Sequence, residues 1–259
     1  MTLAAGSPFD LSGRVALITG GNGGIGLGMA EGLAAHGADI AIWGTNPDKN
    51  AAAAERLAAL GGNVEAFVCD VSDETAVVEA FAATLHRFGK VDACFANAGV
   101  SPMGIRFDDM DLDEWRRITA INLDGAFLTF RTAVRHMLER GEGGSLIATS
   151  SLASVLGMAR GEHYAAAKAG LVAMVRSLAV EYGRYGIRAN AILPGWVETA
   201  MTAGWMSSER FQAAVLPRVP AGRWGTPEDF SGIAVYLASD ASRYHSGDTI
   251  VIDGAYRVF

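Results

Sequence analysis

Apolar positions along the chain alternate between two rhythms. RVALITG at residues 14–20 is an unbroken apolar run of strand length ending in glycine, and beyond it Leu27, Ala30, Leu33 and Ala34 recur at helical spacing as far as Gly37. ADIAIWG reads as a second strand, Asn46-Pro47 as a helix start with proline at its first position, and AAAAERLAAL as a helix closed by Gly61-Gly62. The alternation continues with strand VEAFVCD, a helix after Ser72 with Asp73 and Glu74 in its first turn, and strand VDACFAN. Asp111 and Glu114 then stand at capping-box spacing, and a long apolar helix follows from about Gly125. Strand SLIATSS, a helix over residues 164–182, strand IRANAIL, a helix opened by Thr226-Pro227-Glu228-Asp229 and strand TIVIDG complete the series.

Near-continuous Val/Ile/Leu/Ala runs predict strands covered on both faces. The expected fold is therefore α/β, a doubly wound parallel sheet of seven strands, forming a single domain over residues 1–259. One stretch, residues 201–225, is poorly patterned and reads as an insertion over the sheet's edge. Ala203-Gly204, Ser207-Ser208 and Pro217 oppose one continuous helix there, while Trp205, Met206, Phe211 and Leu216 supply apolar surface. A mobile lid is the expectation, and a short helix packed permanently on the core is the alternative.

Half of the residues are hydrophobic, enough for a large core, and the 32 glycines are scattered through periodic segments rather than gathered in a tract. The formal net charge of −7 and the absence of a basic run oppose a nucleic-acid footprint. No stretch reaches the roughly 18 apolar residues of a membrane span, and MTLAAGSPFDLSG lacks a signal's basic start, so the cytoplasm is the expected compartment. Cys69 and Cys94 lie in segments read as buried strands, which favours core packing over a disulfide. No metal-ligand set is read.

The segment TGGNGGIG sits between the first strand and first helix, where backbone amides and a helix N-terminus meet phosphate. Gly21, Gly23 and Gly26 satisfy GxGxxG, whereas Gly20, Gly24 and Gly26 satisfy the wider GxxxGxG. Either pattern suits a dinucleotide, and tight turns in other nucleotide binders use the same residues. Tyr164 and Lys168 share a helix face four residues apart, with small side chains between them, and Ser151 ends the preceding strand. A phenol titrates near pH 10, and an ammonium close by favours phenolate, which makes a tunable acid/base.

Five motifs in order make the chain resemble the short-chain dehydrogenase/reductase family along nearly its whole length. They are residues 19–26, CDV at 69–71, ANAG at 96–99, Ser151 with Tyr164 and Lys168, and Pro194-Gly195 with Thr199. The resemblance implies a Rossmann-type domain that moves hydride between NAD(P) and a carbonyl or secondary alcohol. It assigns phosphate to Gly20, Asn22, Gly24, Ile25 and Gly26, adenine to Asp70 and Val71, and the ribose wall to Asn97, Ala98 and Gly99. Pro194 and Gly195 would place Val197 and Thr199 by the nicotinamide carboxamide. Ser151, thirteen residues before Tyr164 as the family requires, would orient the substrate oxygen. Tyr164 would move its proton, and Lys168 would lower the tyrosine pKa and hold the nicotinamide ribose. Asn122 matches the asparagine of a proton relay, although an asparagine in mid-helix also bonds locally to backbone. Ala96 departs from the more common asparagine and removes one inter-strand bond.

Gly44 stands where an acid would bind the ribose 2′-hydroxyl and repel a 2′-phosphate, and Thr45, Asn46 and Lys49 are available to a phosphate. The cofactor expectation leans to NADP, with NAD also used. The resemblance implies a homotetramer, and apolar residues beyond one face of the helices around residues 125–138 and 171–183 agree. The expected substrate is a small ketone or 3-oxoacyl group, with a sugar or sugar acid as the alternative. A non-catalytic dinucleotide-binding protein is the reading from a different class. Trp196 joins Trp205, Met206 and Phe211 as candidate apolar lining, and Arg106, Arg160 and Arg218 are expected to be solvated rather than to meet a carboxylate.

Overall fold

The computed structural model describes residues 7–259, so the first six residues of the segment read for a targeting signal lie outside it. The apolar runs form seven strands: β1 Val15–Thr19, β2 Asp39–Gly44, β3 Val64–Val68, β4 Ala93–Ala96, β5 Gly144–Thr149, β6 Ile187–Pro194 and β7 Thr249–Ile252. All pair in parallel, in the order β3-β2-β1-β4-β5-β6-β7. The helices are α1 Gly24–Ala35, α2 Pro47–Ala58, α3 Glu74–Phe88, α4 Leu112–Thr119, α5 Gly125–Arg140, α6 Glu162–Tyr182, α7 Ala203–Met206, α8 Glu209–Val215 and α9 Ser231–Ala238.

Because successive side chains of a strand point to opposite faces, each central strand feeds two separate core layers. Leu17, Cys94 and Leu146 meet Phe81 of α3, Phe130 of α5 and Leu171 of α6 on one face. Ile18, Phe95 and Ile147 meet Leu33 of α1, Leu57 of α2 and Leu237 of α9 on the other. The expectation of strands buried on both faces holds for the centre and relaxes at the edges, where β3 and β7 are only half-buried. Cys69 lies one residue beyond β3 rather than in it, and both cysteines are free and buried. Burial pushes their thiols up, Cys69 to about 12, so neither is a ready nucleophile.

Local chemistry departs from the sequence reading at three helix starts. Asp73 is the cap of α3, accepting from the amides of Thr75 and Ala76, rather than a first-turn residue. Asp111 caps α4 by accepting from the Glu114 amide at 2.8 Å, but the Glu114 side chain does not return to close the box. Thr226 and Asp229 do form a reciprocal capping box, which opens a 3-10 turn, Pro227–Phe230, ahead of α9. Between α4 and α5 a π turn, Ala120–Asp124, joins the two helices without a break and carries Asn122. Residues 201–225 form α7, α8 and a 3-10 turn, Leu216–Arg218, so the insertion is helical but broken. Among the described residues no helix is long and apolar enough to cross a membrane, and no His/Cys/Asp/Glu cluster could hold a metal.

α1 packs against the 3-10 turn ahead of α9 across glycine: a Cβ at Gly28 would run into the carbonyl oxygen of Pro227, which is backbone and cannot swing away. Gly28→Ala should cost about 1–3 kcal/mol, the range for overpacking a tight contact, and lower the Tm by several degrees in thermal unfolding. Gly232→Ala on α9, where a Cβ meets nothing within 4 Å, should leave the Tm unchanged or slightly raised.

Candidate active site

The strand order reverses beside β1, since the chain passes to β2 on one side and to β4 on the other, and this opens a crevice at the carboxyl ends of the sheet. The turn after β1 floors it. Gly20 and Gly24 take φ of +65° and +51°, the left-handed region that favours glycine, and the missing Cβ of Gly26 lets α1 start against the Gly20 carbonyl and the Asn97 amide. Gly21 faces away, where a Cβ would lie 2.6 Å from Ile42 Cγ2. The wider spacing of Gly20, Gly24 and Gly26 is therefore the one that shapes the turn. Thr19 stitches the neighbouring loop to it: its Oγ1 accepts from the amides of Asn97 and Ala98, both at 3.0 Å. The Asn97 side chain returns the tie by donating to the carbonyls of Thr19 and Gly20.

The crevice is a cavity of about 410 Å³. It brings together Asn22, Gly24 and Ile25 of the turn, Asn97 to Gly99, Asn122, Ser151, Tyr164, Lys168, and the segment from Pro194 to Thr199. Thr45, Asn46, Asp70 and Val71 do not line it. Thr45 and Asn46 are exposed at the end of β2, where the Asn46 side chain caps α2. Asp70 binds its own neighbour Ser72, and Val71 is buried.

Tyr164 and Lys168 lie on the first turns of α6, with the ammonium 5.6 Å from the phenol ring centroid. Lys168 is buried, donates to the Thr149 carbonyl at 2.9 Å and is pushed down to about 8 by burial. Burial likewise pushes the Tyr164 phenol above its ordinary value, with a hydrogen bond to Ser151 as the opposing influence. This differs from the expected net lowering by Lys168: taking the phenolate out of water outweighs any favourable charge, so Tyr164 rests as a neutral acid. Ser150 is excluded from this group because its hydroxyl donates to the Lys168 carbonyl at 2.8 Å. The Asn122 amide is spent on backbone, donating to the carbonyls of Val100 and Ile118 at 3.1 Å each.

The remaining walls include residues that local pattern does not reveal. Thr149 Oγ1 is buried in the lining without a partner. Tyr256, near the C-terminus, reaches the cavity, and the exposed Arg218 stacks over its ring. Trp196 and Trp205 line the opening and meet edge to face at 6.1 Å. Phe211 packs on Trp196 at 4.9 Å and stacks on Trp224, so it supports the wall from behind. Arg106, Arg160 and Arg218 are exposed and none lines the cavity; Arg106 pairs with Asp108.

A family model described as enoyl-(acyl carrier protein) reductase matches residues 20–257. The chain is 37% identical to 3-oxoacyl-(acyl-carrier-protein) reductase FabG of Chlamydia pneumoniae, over 94% of this chain and 97% of that one. It is also 37% identical to the L-rhamnose 1-dehydrogenase (NAD(P)(+)) of Azotobacter vinelandii, over 93% and 95% of the two chains. A solved gluconate 5-dehydrogenase from Burkholderia cenocepacia J2315, in complex with NADP and tartrate, superposes with a TM-score of 0.92 at 35% identity, over 97% and 98%. The chain belongs to the short-chain dehydrogenase/reductase family.

The buried Lys168 sets a pH-dependent cost. With its folded pKa depressed to about 8, the folded state carries an ammonium it disfavours. That penalty is full below pH 8 and is relieved as pH rises towards the unfolded value near 10.4. Lys168→Met should therefore gain about 3 kcal/mol at pH 7, less about 1–3 kcal/mol for the orphaned Thr149 carbonyl. A Tm level with wild type or a few degrees above it at pH 7, falling below wild type by pH 10 where only the orphaned carbonyl still counts, is the expected thermal-unfolding result.

Proposed function

We propose that this protein is an NAD(P)-dependent oxidoreductase that interconverts a secondary alcohol and a ketone, with Ser151, Tyr164, Lys168 and Asn122 as its working residues. The observation that carries the reading is the convergence of the Ser151 hydroxyl, the Tyr164 phenol and the Lys168 ammonium on one cavity above a glycine turn. The residues present fit a nicotinamide dinucleotide. The floor at Gly23 is open, with nothing within 4 Å of a Cβ there, and the orphaned Thr149 hydroxyl lies beside Lys168 on the same wall. Bound nicotinamide supplies the two-electron donor or acceptor. Ser151 orients the carbonyl oxygen, Tyr164 gives up or takes its proton, and the ammonium of Lys168 stabilises the phenolate left behind.

The lining on the substrate side is mainly apolar, with Leu156, Met158, Met201, Trp196 and Trp205, and no arginine reaches it. This supports a compact, uncharged ketone or alcohol over a sugar acid, whose carboxylate would lack a cationic partner. Residues 201–225 serve as the lid, with Trp205 against the substrate. Phe127, Leu138 and Val180 are exposed on α5 and α6, which supports burial in a homotetramer. Two free, buried cysteines fit a reducing cytoplasm.

For the cofactor, Gly44 supports a lean to NADP with NAD also accepted. The Asn22 amide donates to Asn50 Oδ1 at 2.7 Å directly over Gly44, so a side chain there would displace both. An acid that would repel a 2′-phosphate thus has no room. By fluorescence titration the Kd for NADPH should be no higher than that for NADH, and a Kd about tenfold lower for NADH would overturn this lean. Tyr164→Phe should lower turnover of ketones by about 10²–10⁴-fold with NADPH binding and Tm near wild type; activity close to wild type would reject the mechanism.

A further inference from the structure

One wall of the cavity is the segment after β4, of which Ser101 and Pro102 line the site. A loop leaving a strand end has no ladder to hold it, so its position depends on side chains from elsewhere. Asn122 fixes Val100, accepting from its amide at 3.3 Å while donating to its carbonyl. The next residues are held one layer further out. The Glu114 carboxylate accepts from the Met103 amide at 3.5 Å, and from Arg117 through Nε at 2.6 Å and Nη2 at 2.9 Å. Arg117 Nη2 also donates to the Ser101 carbonyl at 3.3 Å. On the other side Glu114 Oε1 lies 3.2 Å from Nε2 of His163, the residue immediately before Tyr164.

Glu114 is 7% exposed and His163 is wholly buried. A carboxylate withdrawn from water is costly unless it is paired and hydrogen-bonded, and Arg117 does both through a forked contact that holds Glu114 down to about 2. Core packing asks for no charge here. The capping position on α4 would leave a glutamate at the surface, yet this one turns inward to a point where three elements meet. Of the buried polar atoms in this network only His163 Nδ1 is left without a partner, and a buried network of this kind specifies geometry more than it adds stability.

We propose that Glu114 is a positioning residue, with Arg117 and His163 as its partners: it holds the wall at residues 101–103 in register with Tyr164 on α6 and so determines how well substrate is held. The assignment rests on the oxidoreductase reading above. The network touches neither the glycine turn nor the reacting hydroxyls, so loosening it should weaken substrate binding and spare the cofactor.

The test uses the full chain with Glu114→Gln and, should that variant fold poorly, Arg117→Lys. Amide hydrogen exchange at Met103, whose N–H is bonded to Glu114, should accelerate about tenfold or more, with the central strands unchanged. With cyclohexanone and 2,3-butanedione as probes, KM should rise about fivefold or more while kcat stays within about threefold and the Kd for NADPH within about twofold. Exchange within about twofold of wild type overturns the clamp, as does a parallel loss of kcat and NADPH affinity, which would signal general loosening. Wild-type protein that reduces neither ketone, or a Tyr164→Phe variant as active as wild type, overturns the oxidoreductase reading and the positioning role with it. Turnover that persists with unmoved exchange removes the clamp alone.

Discussion

The hydroxyl of Thr19 is the point on which the cavity depends. It sits at the end of β1, where the sheet's order reverses, and receives two backbone amides from the loop after β4. Two adjacent parallel strands otherwise diverge beyond their last ladder bond, and the crevice between them would be ill-defined. With Thr19 and Asn97 tied reciprocally, the glycine turn and the ribose wall become one rigid surface. The geometry further along β5, α6 and β6 is then built out from that surface.

Desolvation governs the chemistry as strongly as proximity does. The same burial that raises the Tyr164 phenol lowers the Lys168 ammonium, which brings two groups with ordinary values near 10 closer to inverted roles. Loss of the phenol proton takes the pair from one positive charge to none, leaving a phenolate beside an ammonium that stabilises it. The cost is carried by folding stability, as is common where function requires polar groups inside an apolar wall.

Much of this was legible in the sequence because it depends on local spacing. Strand runs, the glycine turn, and the four-residue step from Tyr164 to Lys168 are each decided within a few residues of chain. What was not legible depends on direction or on distant chain. The end of β2 and the helix start at Asn46 were located, but not that β3 would stop before Cys69 or that Asp70 would bind Ser72. Tyr256 and Trp224 reach the site or its supports only through tertiary folding. Glu114 carried the right spacing for a cap, and its actual role was hidden because Arg117 and His163 compete for the same carboxylate. The sign of the Tyr164 shift was misread for a related reason: helical spacing reports that two groups are near, not how much water surrounds them.

The π turn between α4 and α5 has a further meaning as a phase adjuster. Each residue advances a helix by about 100°, so a widened turn that absorbs one surplus residue rotates everything after it relative to what came before. Upstream, that rotation points Glu114 and Ile118 inward; downstream, it points Phe130, Val134 and Met137 into the core layer beneath the sheet. Removing a single residue between Ala120 and Asp124 would let the turn close to α-helical pitch with the apolar stripe of α5 still on the core, whereas inserting one would swing that stripe towards solvent. Changes of length in this stretch therefore differ by sign, since the turn can take up a deletion but has no room to absorb a further insertion.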